Sequence, residues 1–234
     1  MKTYSIISKE LKIFFYHPMS YIITAVFLLL TGWFFSNSLF IVRVAELTNL
    51  LNILPFLLLF LIPAITMKMV AEEKRLGTIE LILTNPIKDS SFILGKFFAS
   101  LAITLFIYLL TLYYVLVLVI AGEPDIGKIV ASYIGIILLT SAYISIGIFA
   151  STITNNQIVS FIVSFMIIFI LFLTDKVSLF FPANIQNFLN DISITGHFNY
   201  FTLGVINIWD VTYYVSLIIL FLYLAYYKIT ERYF

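Results

Sequence analysis

The chain has 234 residues, 62% of them hydrophobic and only 11% charged, with a mean hydropathy of +1.09. Soluble domains carry about 25% charged residues, so this composition excludes one. A net charge of +1 argues against nucleic acid or a strongly acidic partner, and the lack of cysteine removes disulfides and thiolate metal sites.

In residues 1–17, Tyr4, Ile7, Leu11, Phe14 and Phe15 recur at helical spacing, with Lys2, Lys9 and Lys12 opposite and Ile6 and Ile13 blurring the polar face. This pattern predicts a basic amphipathic helix in the membrane interface, with Lys2, Lys9, Leu11 and Lys12 as its marker residues. It serves either as a surface anchor or as a partner contact. The apolar run that follows is too long for a signal peptide and shows no small-x-small cleavage site. It reads as a retained first span.

A bilayer core of about 30 Å takes roughly 20 apolar residues per helix. Six segments meet this test, at about 18–40, 52–70, 93–121, 128–151, 157–175 and 211–228. "AGEPDIG" (121–127) and "TITNNQ" (152–157) supply the helix stops between the third, fourth and fifth. Open sheet edges cannot face lipid and the runs do not alternate, so the expected fold is an all-α integral membrane protein, one transmembrane domain over 1–234. With the N-terminus cytoplasmic, ten Lys and Arg residues fall inside and only Arg43, Lys128 and Lys176 outside. The positive-inside bias therefore places both termini and the 71–90 loop in the cytoplasm.

That loop is the most charged part of the chain. Glu72, Glu73, Lys74 and Arg75 would each cost roughly 2.5–3.5 kcal/mol at a helix centre, against about 0.5 returned per Leu or Ile, so the segment leaves the bilayer as an extension of span two. Lys74 and Arg75 suit the last turn of that extension, and Gly77 suits the residue beyond it. Thr78 can cap a second short helix, with Glu80 in its first turn, and Asn85-Pro86 ends it. Ile79, Leu81, Ile82 and Leu83 are its apolar content. A helix of about two turns is unstable alone and needs a surface to pack on. Lipid head groups and a groove on a cytosolic partner both qualify.

"MVAEEKRLGTIELILTNPIKDSSFILGKFFAS" (69–100) resembles the cytoplasmic loop of ABC-2 type transporter permeases, an "EE+-x-G-T-x-E-x-L-L-x-x-P" run followed by "G-K". The match falls on Glu72, Glu73, Lys74, Gly77, Thr78, Glu80, Pro86, Gly95 and Lys96. "ELKIFFYHPMSYIITAVFLLLTGWFF" (10–35) and "GHFNYFTLGVINIWDVTYYVSLIILFLYL" (196–224) are similar to permeases of the gliding-motility and copper-processing branches. The resemblance implies that Thr78–Thr84 is a coupling helix inserted in a cytosolic ATPase. On that implication Glu72, Glu73, Lys74, Arg75, Gly77, Thr78, Ile79, Glu80, Leu81, Ile82, Leu83 and Pro86 form the coupling site, the charges at its rim. It also implies a re-entrant outer hairpin in 176–210, where Pro182, Asn184, Asn187, Asn190, Asp191, Gly196 and His197 interrupt the apolar run. Short helices around 183–190 and 197–206 fit there.

Other functional classes find little. Ionisable groups are almost absent from the spans, and Asp175 and Asp210 sit at span ends, so ion-coupled transport lacks its usual carboxylates. His197 reads as a structural or interfacial histidine rather than a ligand. The aromatic residues read as mostly lipid-facing and interfacial. No G-x-x-x-x-G-K-[ST], G-x-S-x-G or H-E-x-x-H occurs, which leaves no catalytic residue and no metal ligand to name. The expectation is therefore a non-enzymatic exporter permease in the inner membrane. It would bind no cofactor, work beside a second permease chain, the same or related, and contact an accessory protein in some assemblies. Two copies of an ABC ATPase would hold ATP and Mg. A secondary transporter or channel subunit without an ATPase is the alternative.

Overall fold

Polar residues interrupt this apolar chain at few points, and most of them become helix caps. The computed structural model describes residues 2–42, 47–78, 88–122 and 124–231, and every regular element among them is a helix. Helix α1 (Lys2–Tyr16) ends at His17, whose Nδ1 accepts the Met19 N–H at 3.2 Å and caps α2 (Pro18–Ser36). Pro18 takes the first helical position, where its missing N–H leaves nothing unpaired. A π-helical stretch, Asn37–Val42, continues α2. Then come α3 (Thr48–Thr66), α4 (Ala71–Arg75) and α5 (Asp89–Ala121). Asp125 caps α6 (Ile126–Ile153) through the Lys128 N–H, and Asn156 caps α7 (Gln157–Ser178) through the Ile158 N–H. Two short helices, α8 (Ala183–Ile192) and α9 (Ile194–Thr202), precede α10 (Ile208–Thr230). Ser193 caps α9 and Asn207 caps α10.

Six of these helical stretches are long and apolar enough to cross a membrane: Pro18–Phe40, α3 with α4, α5, α6, α7 and α10. At 1.5 Å per residue the 33 residues of α5 measure about 50 Å, roughly 20 Å more than a bilayer core. Helix α5 therefore projects beyond the hydrocarbon, and α1 runs beside it, from Ile6 against Gly95 to the Phe15 ring, 5.2 Å from that of Phe106.

The core is built around α3 and α6. In each, 67% of the apolar stretch is buried within the chain, against 17% in α7 and α10, which leaves wide apolar faces on the outer helices for lipid. Helix α6 touches α3, α5, α7, α9 and α10. It can do so because it presents small residues to its neighbours. A Cβ on Gly135 would lie 2.5 Å from Phe201 of α9, and one on Gly147 would overlap the Thr66 side chain of α3. The small residues of α6 thus serve packing inside the chain.

Three tyrosines depart from the lipid-facing expectation. Tyr108, Tyr143 and Tyr214 are buried, and hydroxyl partners explain two of them: Tyr108 meets Thr140, and Tyr214 donates to the Ile194 carbonyl at 2.7 Å. Tyr114 likewise links α5 to α2, 3.1 Å from both Thr31 Oγ1 and the Leu28 carbonyl. An aromatic ring with a satisfied hydroxyl is well suited to a helix interface in lipid, where water offers no alternative partner.

Close packing at Gly147 should be measurable. Gly147→Ala is expected to destabilise the purified protein by about 1–3 kcal/mol, the usual cost of overpacking, with Thr66→Ala recovering part of the loss. Gly32→Ala, whose Cβ would meet only Tyr114 Oη at an ordinary 3.4 Å, should be near neutral. Thermal unfolding in detergent distinguishes them.

Candidate functional site

Of the four charged residues before the 79–87 segment, Glu72 and Arg75 are open to solvent and the other two are buried. Glu73 and Lys74 are each only 8% exposed, and with Lys96 and Glu10 they build a polar layer where α1, α4, α5 and α6 converge. The Lys96 ammonium, 1% exposed, sits 2.7 Å from Glu10 Oε1 and 2.9 Å from Glu73 Oε2. Lys9 Nζ closes the row at 2.7 Å from Glu73 Oε1. Two cations and two anions thus alternate through three helices. The Phe92 ring, 5.2 Å from the Lys96 ammonium, adds a cation–π contact.

Local geometry explains the row. Gly95 lets α1 approach α5 closely, since a Cβ there would lie 2.9 Å from Ile6 Cβ. Ile6, Glu10 and Phe14 form the buried stripe of α1, one residue per turn, so the helix carries its carboxylate to Lys96 between two apolar anchors. Ile6, which blurs the expected polar face, faces α5, whereas Tyr4 is 76% exposed. The protein-facing side of α1 is therefore rotated from the apolar face read off the sequence. Leu11 is partly buried against the core and Lys12 is exposed.

Helix α4 is held from its other side by α6. The Ser151 hydroxyl accepts the N–H groups of Val70 and Ala71 at 3.0 and 2.9 Å and donates to the Met67 carbonyl at 3.1 Å. One side chain thereby satisfies the break between α3 and α4. Lys74 donates to the Thr152 carbonyl at the end of α6. Glu72 and Arg75 pair at 3.8 Å on the open side, an exposed contact of small value. Gly77 ends the segment at φ +69°, a conformation that other residues enter only with strain. Thr78 donates to the Glu73 carbonyl at 3.3 Å. Of the other expected coupling residues, Ile79, Glu80, Leu81, Ile82, Leu83 and Pro86 lie outside the described residues, as does the side chain of Lys2.

A second polar group joins α9 to α10. His197 Nδ1 lies 2.5 Å from Asp210 Oδ1, its Nε2 lies 3.1 Å from the Asp191 carbonyl, and its ring stacks on Tyr213 at 4.0 Å. Asp210, expected at the interface, is 2% exposed, because His197 gives it a buried partner.

A family model described as "ABC-2 family transporter protein" matches residues 4–231, nearly the whole chain. The chain belongs to the ABC-2 transporter family. No curated protein matches it. Membership makes this an integral membrane permease of a transport system, and the membrane components of ABC-2 systems are generally not enzymes themselves. In this ABC-2 permease, Gly95 and Lys96 of the "G-K" pair have distinct physical tasks, one giving space and the other charge. Glu10 was missed from the sequence as a site residue. Its signal was a carboxylate four residues from both Ile6 and Phe14, on a stripe that a solvated glutamate would avoid.

Removing Lys96 tests the row. Lys96→Met leaves Glu10 without its cation and Glu73 with Lys9 alone, and an unpaired buried charge typically costs about 3–5 kcal/mol. Adding Glu10→Gln should recover most of that loss. Unchanged thermal unfolding of Lys96→Met would show that the pairs contribute nothing.

Proposed function

We propose that this chain is the membrane half of an ATP-binding cassette exporter, driven by a separate cytosolic ATPase that binds ATP and Mg. One observation carries the reading beyond family membership. The helix leading into the 79–87 segment is fastened to α5 and α1 through Glu73 and Lys96, and to α6 through Ser151 and Thr152. A displacement applied beyond Thr78 would reach three helices through short, buried polar contacts. An ordinary surface loop has no use for such fastening.

In this reading the loop and both termini face the cytoplasm of an inner membrane. Two permease chains, identical or related, line one path, and two ATPase subunits sit beneath them. The 78–84 segment acts as the coupling helix, its apolar residues Ile79, Leu81, Ile82 and Leu83 filling a groove on the ATPase. The α8–α9 hairpin covers the outer end of the path. ATP-driven closure of the ATPases moves the coupling helices and re-packs the spans, and substrate leaves the cell.

Two experiments test this. Apolar anchors in desolvated pockets often cost 2 kcal/mol or more when truncated, and a buried charge costs still more. Ile82→Asp should therefore detach the ATPase or uncouple its activity, while Lys88→Ala changes little. Retention of normal ATPase binding and activity by Ile82→Asp would retire the docking role. For orientation, single cysteines are introduced into the cysteine-free chain. Glu123→Cys should react with an impermeant thiol reagent applied to intact cells, and Arg75→Cys and Asn155→Cys should not. Labelling of Arg75→Cys from outside would invert the topology.

A further inference from the structure

A cavity of about 540 Å³ opens between the α1–α2 corner and the α3–α4 corner, with the Lys96 row as one wall. At about 30 Å³ per water it has the volume of roughly 18 waters, far more than a single ion needs. Its lining changes character along its length. At one end Ile23 of α2 and Ile65 of α3 belong to the spans, and at the other lie His17, Lys68 and Glu72.

Three donors in this lining have capacity left. The Ser20 hydroxyl is buried and makes no hydrogen bond among the described residues, and its residue is 2% exposed. A buried hydroxyl without a partner calls for an unseen one. Lys68, half-buried, makes no ion pair among the described residues, whereas Lys9 and Lys96 are already committed to carboxylates. His17 accepts the Met19 N–H on Nδ1, which places the ring proton of the neutral side chain on Nε2, where it meets no partner among the described residues. A cation, a ring N–H and a hydroxyl beside an apolar cleft match an anionic head carrying an apolar tail.

We propose that this cavity binds the phosphodiester head of a membrane lipid, with the first carbons of an acyl chain lying along Ile23 and Ile65. The phosphate would take Lys68, His17 and Ser20, and Glu72 would suit a head group that also carries an amine. A lipid held there bridges α2 and α3 directly beside the Lys96 row. A soluble phosphate would use the donors but leave the apolar end wet. The inference needs the membrane but not an ATPase, so its failure leaves the permease reading untouched.

The test is native mass spectrometry of the full chain released from detergent after incubation with defined additives. Phosphatidylethanolamine or phosphatidylglycerol should be retained at one molecule per chain. Diacylglycerol of the same chain length and inorganic phosphate should not. Lys68→Gln, at a half-exposed position that leaves the fold intact, should weaken phospholipid retention about tenfold, and Ser20→Leu should reduce it by filling the cavity. Lys88→Gln, outside the cavity, should retain lipid as the parent does. Equal retention of diacylglycerol, a phosphate adduct that competes with the lipid, or retention unaffected by Lys68→Gln would each overturn the proposal.

Discussion

An ammonium group at 1% exposure needs close anions to offset its lost hydration, and Lys96 has two. Transfer of a charge from water to a protein interior costs several kcal/mol even after relaxation, so the carboxylates must be near and well placed. They come from Glu10 on α1 and Glu73 on α4, elements far apart in the chain. Meeting that requirement decides which face of α1 turns inward, brings α4 beneath the bundle, and makes the glycine before Lys96 necessary. The Lys96 row is also one wall of the cavity lined by Ser20 and Lys68. Charge neutralisation at one buried atom thus organises this end of the molecule.

Helix α6 supplies the other half of that organisation. Apolar attraction between helices is weak in lipid, so contact depends on shape and on hydrogen bonds. Gly135 and Gly147 give the shape, and Ser151 and the Thr152 carbonyl give the hydrogen bonds. Helix α6 therefore receives α9 near one end, α3 along its length and α4 at the other. The α9 end and the α4 end belong to a single helix. Motion at either would be felt at the other only if α6 shifts as a body, which its dense packing favours over local bending.

The polar groups of α9 and α10 follow the same logic on a smaller scale. Asp210 is buried because His197 pairs with it, and His197 is fixed in turn by the Asp191 carbonyl and the Tyr213 ring. Each residue looked like an unremarkable interfacial group when taken singly. Their pairing depends on a turn at Gly204, at φ +87°, that folds α9 back against α10.

The sequence alone determined that this is a helical membrane protein with six spans, because an apolar run of some twenty residues has one stable solution in lipid. The helix stop at Gly77 and the breaks at 121–127 and 152–157 were legible, since they depend on neighbours in the chain. The loop motif pointed to the family through the residues themselves. The sequence could not decide what the charged residues touch. Glu73 and Lys74 looked solvated because charge next to an apolar run ordinarily is, and Glu10 looked like one more polar residue on an amphipathic helix. Only the tertiary structure brought Glu10 and Glu73 within 3 Å of the Lys96 ammonium, because Glu10 lies 86 residues from Lys96 in the chain and their meeting depends on how α1, α4 and α5 pack. Local sequence sets where helices begin and end, and the burial of a charge is settled by neighbours that sequence does not place.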